Sequence, residues 1–171
     1  MEMNDPAPAG AKDTVYREEL THGDIAVIED IVRSTGFFSD EETGIAVELA
    51  EERMVRGDKS GYFFIFAETG GEVAGYACYG PIPGTVSSFD LYWIAVRPGR
   101  QGNGLGSELL SRVEGLAAAM GCTRLYADTS TREQYGPTRA FYLRSAYREA
   151  AVLEDFYAPG DGKVIYEKII G

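Results

Sequence analysis

The chain has 171 residues, 27 of them Asp or Glu against 16 Lys or Arg, for a formal charge of −11; 44% are hydrophobic and 25% charged, the balance of a globular protein folding around its own core. No apolar run nears the roughly 20 residues that span a bilayer, the opening MEMNDPAPAG has neither a basic nor an apolar leader segment, and an acidic surface is a poor counterpart for nucleic-acid phosphates. Two isolated cysteines, Cys78 and Cys122, make no disulfide framework or zinc site, so the cytoplasm is the default location.

Residues 1–14, with Pro6 and Pro8 among small and polar residues, are expected to form a flexible tail, and 15–171 a single domain. A first strand is predicted over 15–20. From Asp24, Ile25, Ile28, Ile31 and Val32 follow helical spacing, and Thr21 with Asp24 has capping-box spacing at the start. The single histidine, His22, lies there and is expected to be a solvated turn residue. A multi-histidine metal site is thereby excluded, and no carboxylate cluster has ligand spacing. Ser39 and Glu42 make a second capping box before the stripe Ile45, Ala46, Leu49, Ala50 and Met54, a helix ending at Gly57.

Strands over 62–67 and 73–79 form a hairpin about Gly70-Gly71, and another strand runs over 87–96. The strongest helical pattern covers 104–120, with Leu105, Leu109, Leu110, Val113, Leu116 and Ala117 on one side and Gly121 at its end. A strand over 123–129, a short helix over 138–146 and a closing hairpin of 152–157 with 164–169 complete the chain. Helices first, then a hairpin-rich sheet, then strand–helix–strand imply an α+β fold with a mixed sheet covered on both faces.

The informative segment is WIAVRPGRQGNGLGS, residues 93–107. A strand ends at Pro98, a loop with glycines at 99, 102, 104 and 106 follows, and a long amphipathic helix begins at once. Unpaired N–H groups and the positive dipole end of that helix suit an anion such as a phosphate. Arg97 and Arg100 reverse the sign of charge locally in an acidic protein. A Rossmann fingerprint from Gly102 would need glycine where Ser107 stands, and a P-loop needs a lysine the region lacks.

What fits is Gln101-x-x-Gly104-x-Gly106, preceded by Val96-x-Pro98 and followed by Leu109-Leu110. This segment resembles the pyrophosphate-binding loop of the GCN5-related N-acetyltransferases (GNAT family), and the order of elements over 15–170 resembles that family too. The resemblance implies a central, mostly antiparallel twisted sheet splayed in the middle, with helices on both faces. It implies acetyl-CoA held by Arg100, Gln101, Gly102, Asn103, Gly104, Leu105, Gly106 and Ser107, with backbone contacts from Ile94, Ala95 and Val96. Downstream, Phe141-Tyr142-x-x-x-Ala146-Tyr147 is similar to the family's F/L-Y-x-x-x-G-F helix, although Tyr135 stands at its Asn position and Ala146 at its Gly. Phe141 is thereby placed at the cofactor, and Tyr142 takes the role of general acid for the leaving thiolate.

An amine with a pKa near 10 must lose a proton before it attacks a carbonyl. Asp90, eleven residues before Gln101, stands where histone-type members of the family hold a glutamate. Strict alternation would put Asp90, Tyr92 and Ile94 on one face, and flanking Phe89 and Leu91 would raise the Asp90 pKa by desolvation. Asp128, ending the neighbouring strand, is the other candidate base, and ordered water a third. The resemblance builds the acceptor pocket from 36–42, the splayed strands and 155–161. Phe37, Phe38, Phe156 and Tyr157 are its expected walls, with Glu41, Glu42, Glu154 and Asp155 as its charge, a mixture suited to a small amine or an amino acid. Protein amino-group transfer, a non-catalytic acyl-CoA sensor and a nucleotide-binding module are the other readings. Exposed terminal strands would allow a homodimer, common in the family.

Overall fold

The computed structural model describes residues 13–171. The expected tail falls largely on residues 1–12, outside the described residues, and Thr14 already belongs to the sheet. In chain order the elements are β1 (Thr14–Arg17), α1 (His22–Ser34), α2 (Asp40–Arg56), β2 (Phe63–Thr69), β3 (Glu72–Pro81), β4 (Ser88–Val96), α3 (Leu105–Ala119), β5 (Arg124–Ser130), α4 (Gly136–Arg144), β6 (Arg148–Ala158) and β7 (Asp161–Ile169). Single 3-10 turns at Gly57–Ser60, Pro98–Arg100 and Glu133–Tyr135 lead into β2, α3 and α4.

The strands form one sheet in the order β1-β2-β3-β4-β5-β7-β6. Neighbours are antiparallel except β4 and β5, which run parallel. Period-2 side chains give the sheet two apolar faces. One, with Ile65, Ala77, Tyr79, Phe89, Leu91 and Leu125, is covered by Leu109, Leu110, Val113 and Ala117 of α3 and by Tyr142 of α4. The other, with Phe64, Phe66, Tyr76 and Cys78, is covered by Ile28, Ile31 and Val32 of α1 and Ala46 and Ala50 of α2. Burying each large aliphatic side chain contributes about 1.5–3 kcal/mol, so these two layers hold the sheet.

Local chemistry sets the element ends. Asp24 closes the Thr21 capping box and is buried, its carboxylate gripped by Arg17 Nη2 at 2.6 Å and Nη1 at 2.8 Å. Arg17 Nε also reaches Glu68 at 2.5 Å, so one guanidinium joins β1, β2 and α1. His22 is exposed as expected, but as the first residue of α1. In α2, Ser39 Oγ accepts from the Glu42 N–H at 3.1 Å while Glu42 Oε2 accepts from Ser39 N–H at 2.8 Å. Gly70 and Gly71, at φ +62° and +82°, make the two-residue turn between β2 and β3.

The C-terminal half differs from expectation in extent. The strand expected over 152–157 runs over Arg148–Ala158, and β7 starts at Asp161, so Gly162 lies in a strand and not in the turn. The short helix lies over Gly136–Arg144, two residues earlier than expected, and ends in two reversed hydrogen bonds: Tyr147 N–H to Tyr142 O at 3.0 Å and Ala146 N–H to Leu143 O at 3.2 Å. That closure puts Ala146 at φ +66°, a conformation a Cβ disfavours. Replacing Ala146 by Gly is therefore expected to stabilise the protein by about 0.5–1 kcal/mol, read as a rise of about 2 °C in Tm with an unchanged circular-dichroism spectrum.

Candidate active site

The loop before α3 is shaped by its glycines. Gly102 and Gly104 sit at φ +83° and +77°, and Gly104 is the left-handed N-cap of α3. Gln101 N–H bonds Pro98 O at 3.4 Å, and the next backbone donor with a partner is Glu108 N–H, on Gly104 O at 3.0 Å. Between them, the amides of Gly102, Asn103, Gly104, Leu105, Gly106 and Ser107 have no acceptor among the described residues. Six unpaired donors at the positive end of a 15-residue helix form an anion cradle. The Gln101 side chain braces it by donating from Nε2 to Val96 O at 3.0 Å. Arg97 does not serve the cradle: Nη1 pairs with Asp30 at 2.5 Å and Nε donates to Val73 O at 2.8 Å. Arg100 has no salt-bridge partner among the described residues and is the loop's available cation.

Next to the loop the sheet opens. β4 and β5 pair only over 88–91 with 124–127, after which residues 93–96 keep one partner, β3, and 128–130 keep only β7. A bulge accompanies the parting: Tyr79 faces Leu91 and Cys78 faces Trp93, leaving Tyr92 unopposed. The extra residue reverses the alternation that would have put Asp90, Tyr92 and Ile94 together. Tyr92 and Trp93 both pack with the α1–α2 layer, whereas Ile94 and Val96 join the α3 layer.

A cavity of about 590 Å³ fills the opening. Its floor includes 91–96 of β4 and Asp128, Thr129 and Ser130 of β5, with Tyr142 of α4. The α1–α2 connection supplies Phe37 and Phe38, and the first turn of α2 supplies Glu41 and Glu42; the far wall is Arg132, Tyr135, Tyr157 and Asp161. Phe156, expected as a wall, and Glu154 and Asp155, expected as its charge, are not among its lining residues. The Phe156 ring instead lies 4.6 Å under the Lys163 ammonium. Phe141 packs against the α3 layer beside Gly106. Ser130 Oγ is held on Asp161 at 2.5 Å, and Thr131 Oγ1 accepts from Gly162 N–H at 2.8 Å.

Three titratable groups meet at the opening. Tyr142 is 4% exposed, and its hydroxyl has no hydrogen-bond partner among the described residues. Burial, with Asp128 and Tyr166 nearby, pushes its phenol well above the ordinary value, so it keeps its proton. Asp128 lines the cavity and pairs with Lys163 at 2.6 Å. Asp90 stands beside the cavity; desolvation, then the Asp128 charge, push its pKa up to about 6 against a lowering pull from Lys163. Tyr157 is pushed up to about 12 by burial and then by Asp128, Asp161 and Glu42, which marks this end as electronegative. Lys163, Trp93 and the contact made by Tyr135 escaped the sequence reading, because each depends on cross-strand or cross-loop neighbours with no periodic signal.

The sequence model of the Acetyltransferase (GNAT) family matches residues 25–147. A GNAT-family protein from Desulfovibrio desulfuricans superposes with a TM-score of 0.91 at 43% identity, over 92% of this chain and 99% of that one. An aminoglycoside 6'-N-acetyltransferase complexed with coenzyme A superposes at TM-score 0.74 and 18% identity, over 92% and 97% of the two chains. The ribosomal-protein-S18-alanine N-acetyltransferase of Escherichia coli does so at 0.73 and 20%, over 92% and 94%. None of the curated proteins matches the chain in sequence. The chain belongs to the GNAT acetyltransferase family, and its splayed mixed sheet between two helical layers is that family's fold.

The raised Asp90 pKa has a thermodynamic sign. Its folded value near 6 exceeds the roughly 3.9 of an unfolded Asp, so the native state binds more protons between those values. Stability therefore falls as pH rises through that window. Asp90→Asn is expected to melt above the wild type at pH 7.5, by a margin that narrows as pH falls through that window and closes below about 3.9, as differential scanning calorimetry would show.

Proposed function

We propose that the chain is an N-acetyltransferase that takes acetyl-CoA as donor and a primary amine of a small molecule or amino acid as acceptor. The carrying observation is the run of six amides at 102–107 with no acceptor among the described residues. They suit the diphosphate of coenzyme A, with Arg100 adding charge. The second fit is the unpaired edge of β4, where the main chain of Ile94, Ala95 and Val96 can pair with the amides of a pantetheine arm. The aminoglycoside enzyme with coenzyme A bound supports this choice of donor.

When bound, acetyl-CoA supplies an acetyl group activated as a thioester, and the acceptor nitrogen takes it by direct attack, the C–N bond forming as the C–S bond breaks. The chain's residues handle the protons. Asp128 opens on the cavity and meets the acceptor ammonium, while Asp90 behind it has the raised proton affinity. The pair removes the ammonium proton. Tyr142 holds its proton at neutral pH and offers it to the departing sulfur. No acyl-enzyme is needed, because Cys78 and Cys122 are buried. The two reduced thiols also suit the cytoplasm as the working compartment.

Two experiments test this. Coenzyme A release with an amine panel should fall at least about tenfold in Tyr142→Phe with acetyl-CoA binding retained, whereas Gly104→Glu should lose binding because the left-handed cap disfavours a side chain. Equal behaviour of both variants and wild type overturns the roles, and no release with any amine supports the sensor instead. Second, kcat should rise with pH through about 6, and Asp90→Asn should remove that limb; a flat wild-type profile from pH 5 to 8 sinks the carboxylate pair as base.

A further inference from the structure

Two independently braced walls face each other across the cavity. On one side, residues 35–39 are held by the Ser39 capping box, by Thr35 Oγ1 donating to Val32 O at 2.8 Å, and by Phe38 packed 4.9 Å from Trp93 on the bulge. On the other, Arg139 Nη1 donates to Ser130 O at 2.7 Å and Arg132 O at 2.9 Å, and Tyr135 N–H donates to Arg132 O at 3.0 Å. The walls meet at Tyr135 and Phe37. Tyr135 Oη donates to Phe37 O at 3.1 Å, and the two rings lie 6.0 Å apart. Phe37 and Tyr135 both line the cavity, so their contact roofs it.

We propose that Tyr135 is a specificity-determining residue: by latching the Glu133–Tyr135 turn to the connection between α1 and α2 it closes the groove in which a peptide would lie, and restricts acceptors to amines at the end of a slender, unbranched chain. The proposal rests on the acetyltransferase reading and adds the class of acceptor. A single hydroxyl-to-carbonyl bond is a modest constraint in water, but here it joins two walls that are each braced by hydrogen bonds of their own. An α-amino group flanked by a side chain and a peptide bond needs width at the contact itself. A terminal –CH2–NH2 does not, and it can pass the acidic rim at Glu41 and Glu42 end-on.

The test compares wild type, Tyr135→Phe and Tyr135→Ala with butylamine and with trialanine, reading kcat/KM for each. The expected wild type prefers butylamine. Tyr135→Phe, which keeps the ring and loses the hydroxyl, should lower the butylamine-to-trialanine ratio by about fivefold, the worth of one neutral hydrogen bond, and Tyr135→Ala by more. KM for acetyl-CoA and the cooperative melt report whether the fold and donor site are kept. A ratio unchanged in both folded variants overturns the latch, as does a wild type that turns over trialanine as fast as butylamine. A wild type silent with every amine instead overturns the acetyltransferase reading and the acceptor class with it.

Discussion

The parting of β4 from β5 is the constraint on which the rest depends. A parallel pair that stopped pairing inside a core would leave costly unmade hydrogen bonds. Here the pairing ends after Leu91, and the strand edges border a cavity where solvent or a ligand can satisfy them. The bulge at Tyr92 stabilises the divergence by handing two aromatic side chains in succession to the α1–α2 layer. That swing also leaves Ala95 under one layer and Ile94 and Val96 under the other, so the strand stays anchored on both faces while its edge is open.

Around this opening the charges are arranged by pairing rather than by number. Lys163 offsets Asp128, Arg132 sits 3.8 Å from Asp161, and Arg97 is committed to Asp30. What remains is positive character at the α3 cradle and negative character at Glu41, Glu42 and Asp90. One end of the cavity thus suits an anion and the other a cation, within a chain whose formal charge is −11. Asp90 is held against its own ionisation by burial, a strain of the kind tolerated where chemistry needs a proton acceptor near neutral pH.

Tyr142 owes its position to packing. Its ring stacks 5.5 Å from Tyr166 and meets Tyr147 edge-on at 5.6 Å, while the Tyr147 hydroxyl donates to Glu114 at 3.1 Å. Lys168 donates to the same carboxylate at 3.0 Å and to Ser145 O at 3.0 Å, joining α3, the end of α4 and β7. The left-handed Ala146 belongs to the same junction, since the closure it permits turns the chain so that Tyr147 lies beside Tyr142.

Sequence by itself determined whatever depends on neighbours a few residues apart. Both capping boxes, the core stripes of α1, α2 and α3, the Gly70-Gly71 turn and the glycine loop before α3 are local, because backbone preference and side-chain period act over one or two turns. The anion cradle was legible for that reason. Tertiary structure decided what distant segments do to one another. The bulge at Tyr92 is visible only in register with β3, and it undid the alternation expected of Asp90 and Ile94. Arg97 looked available to the loop until Asp30, 67 residues away, claimed it. The Tyr135–Phe37 contact spans 98 residues, a separation at which no sequence period carries information, and only the folded chain brings its two walls within reach.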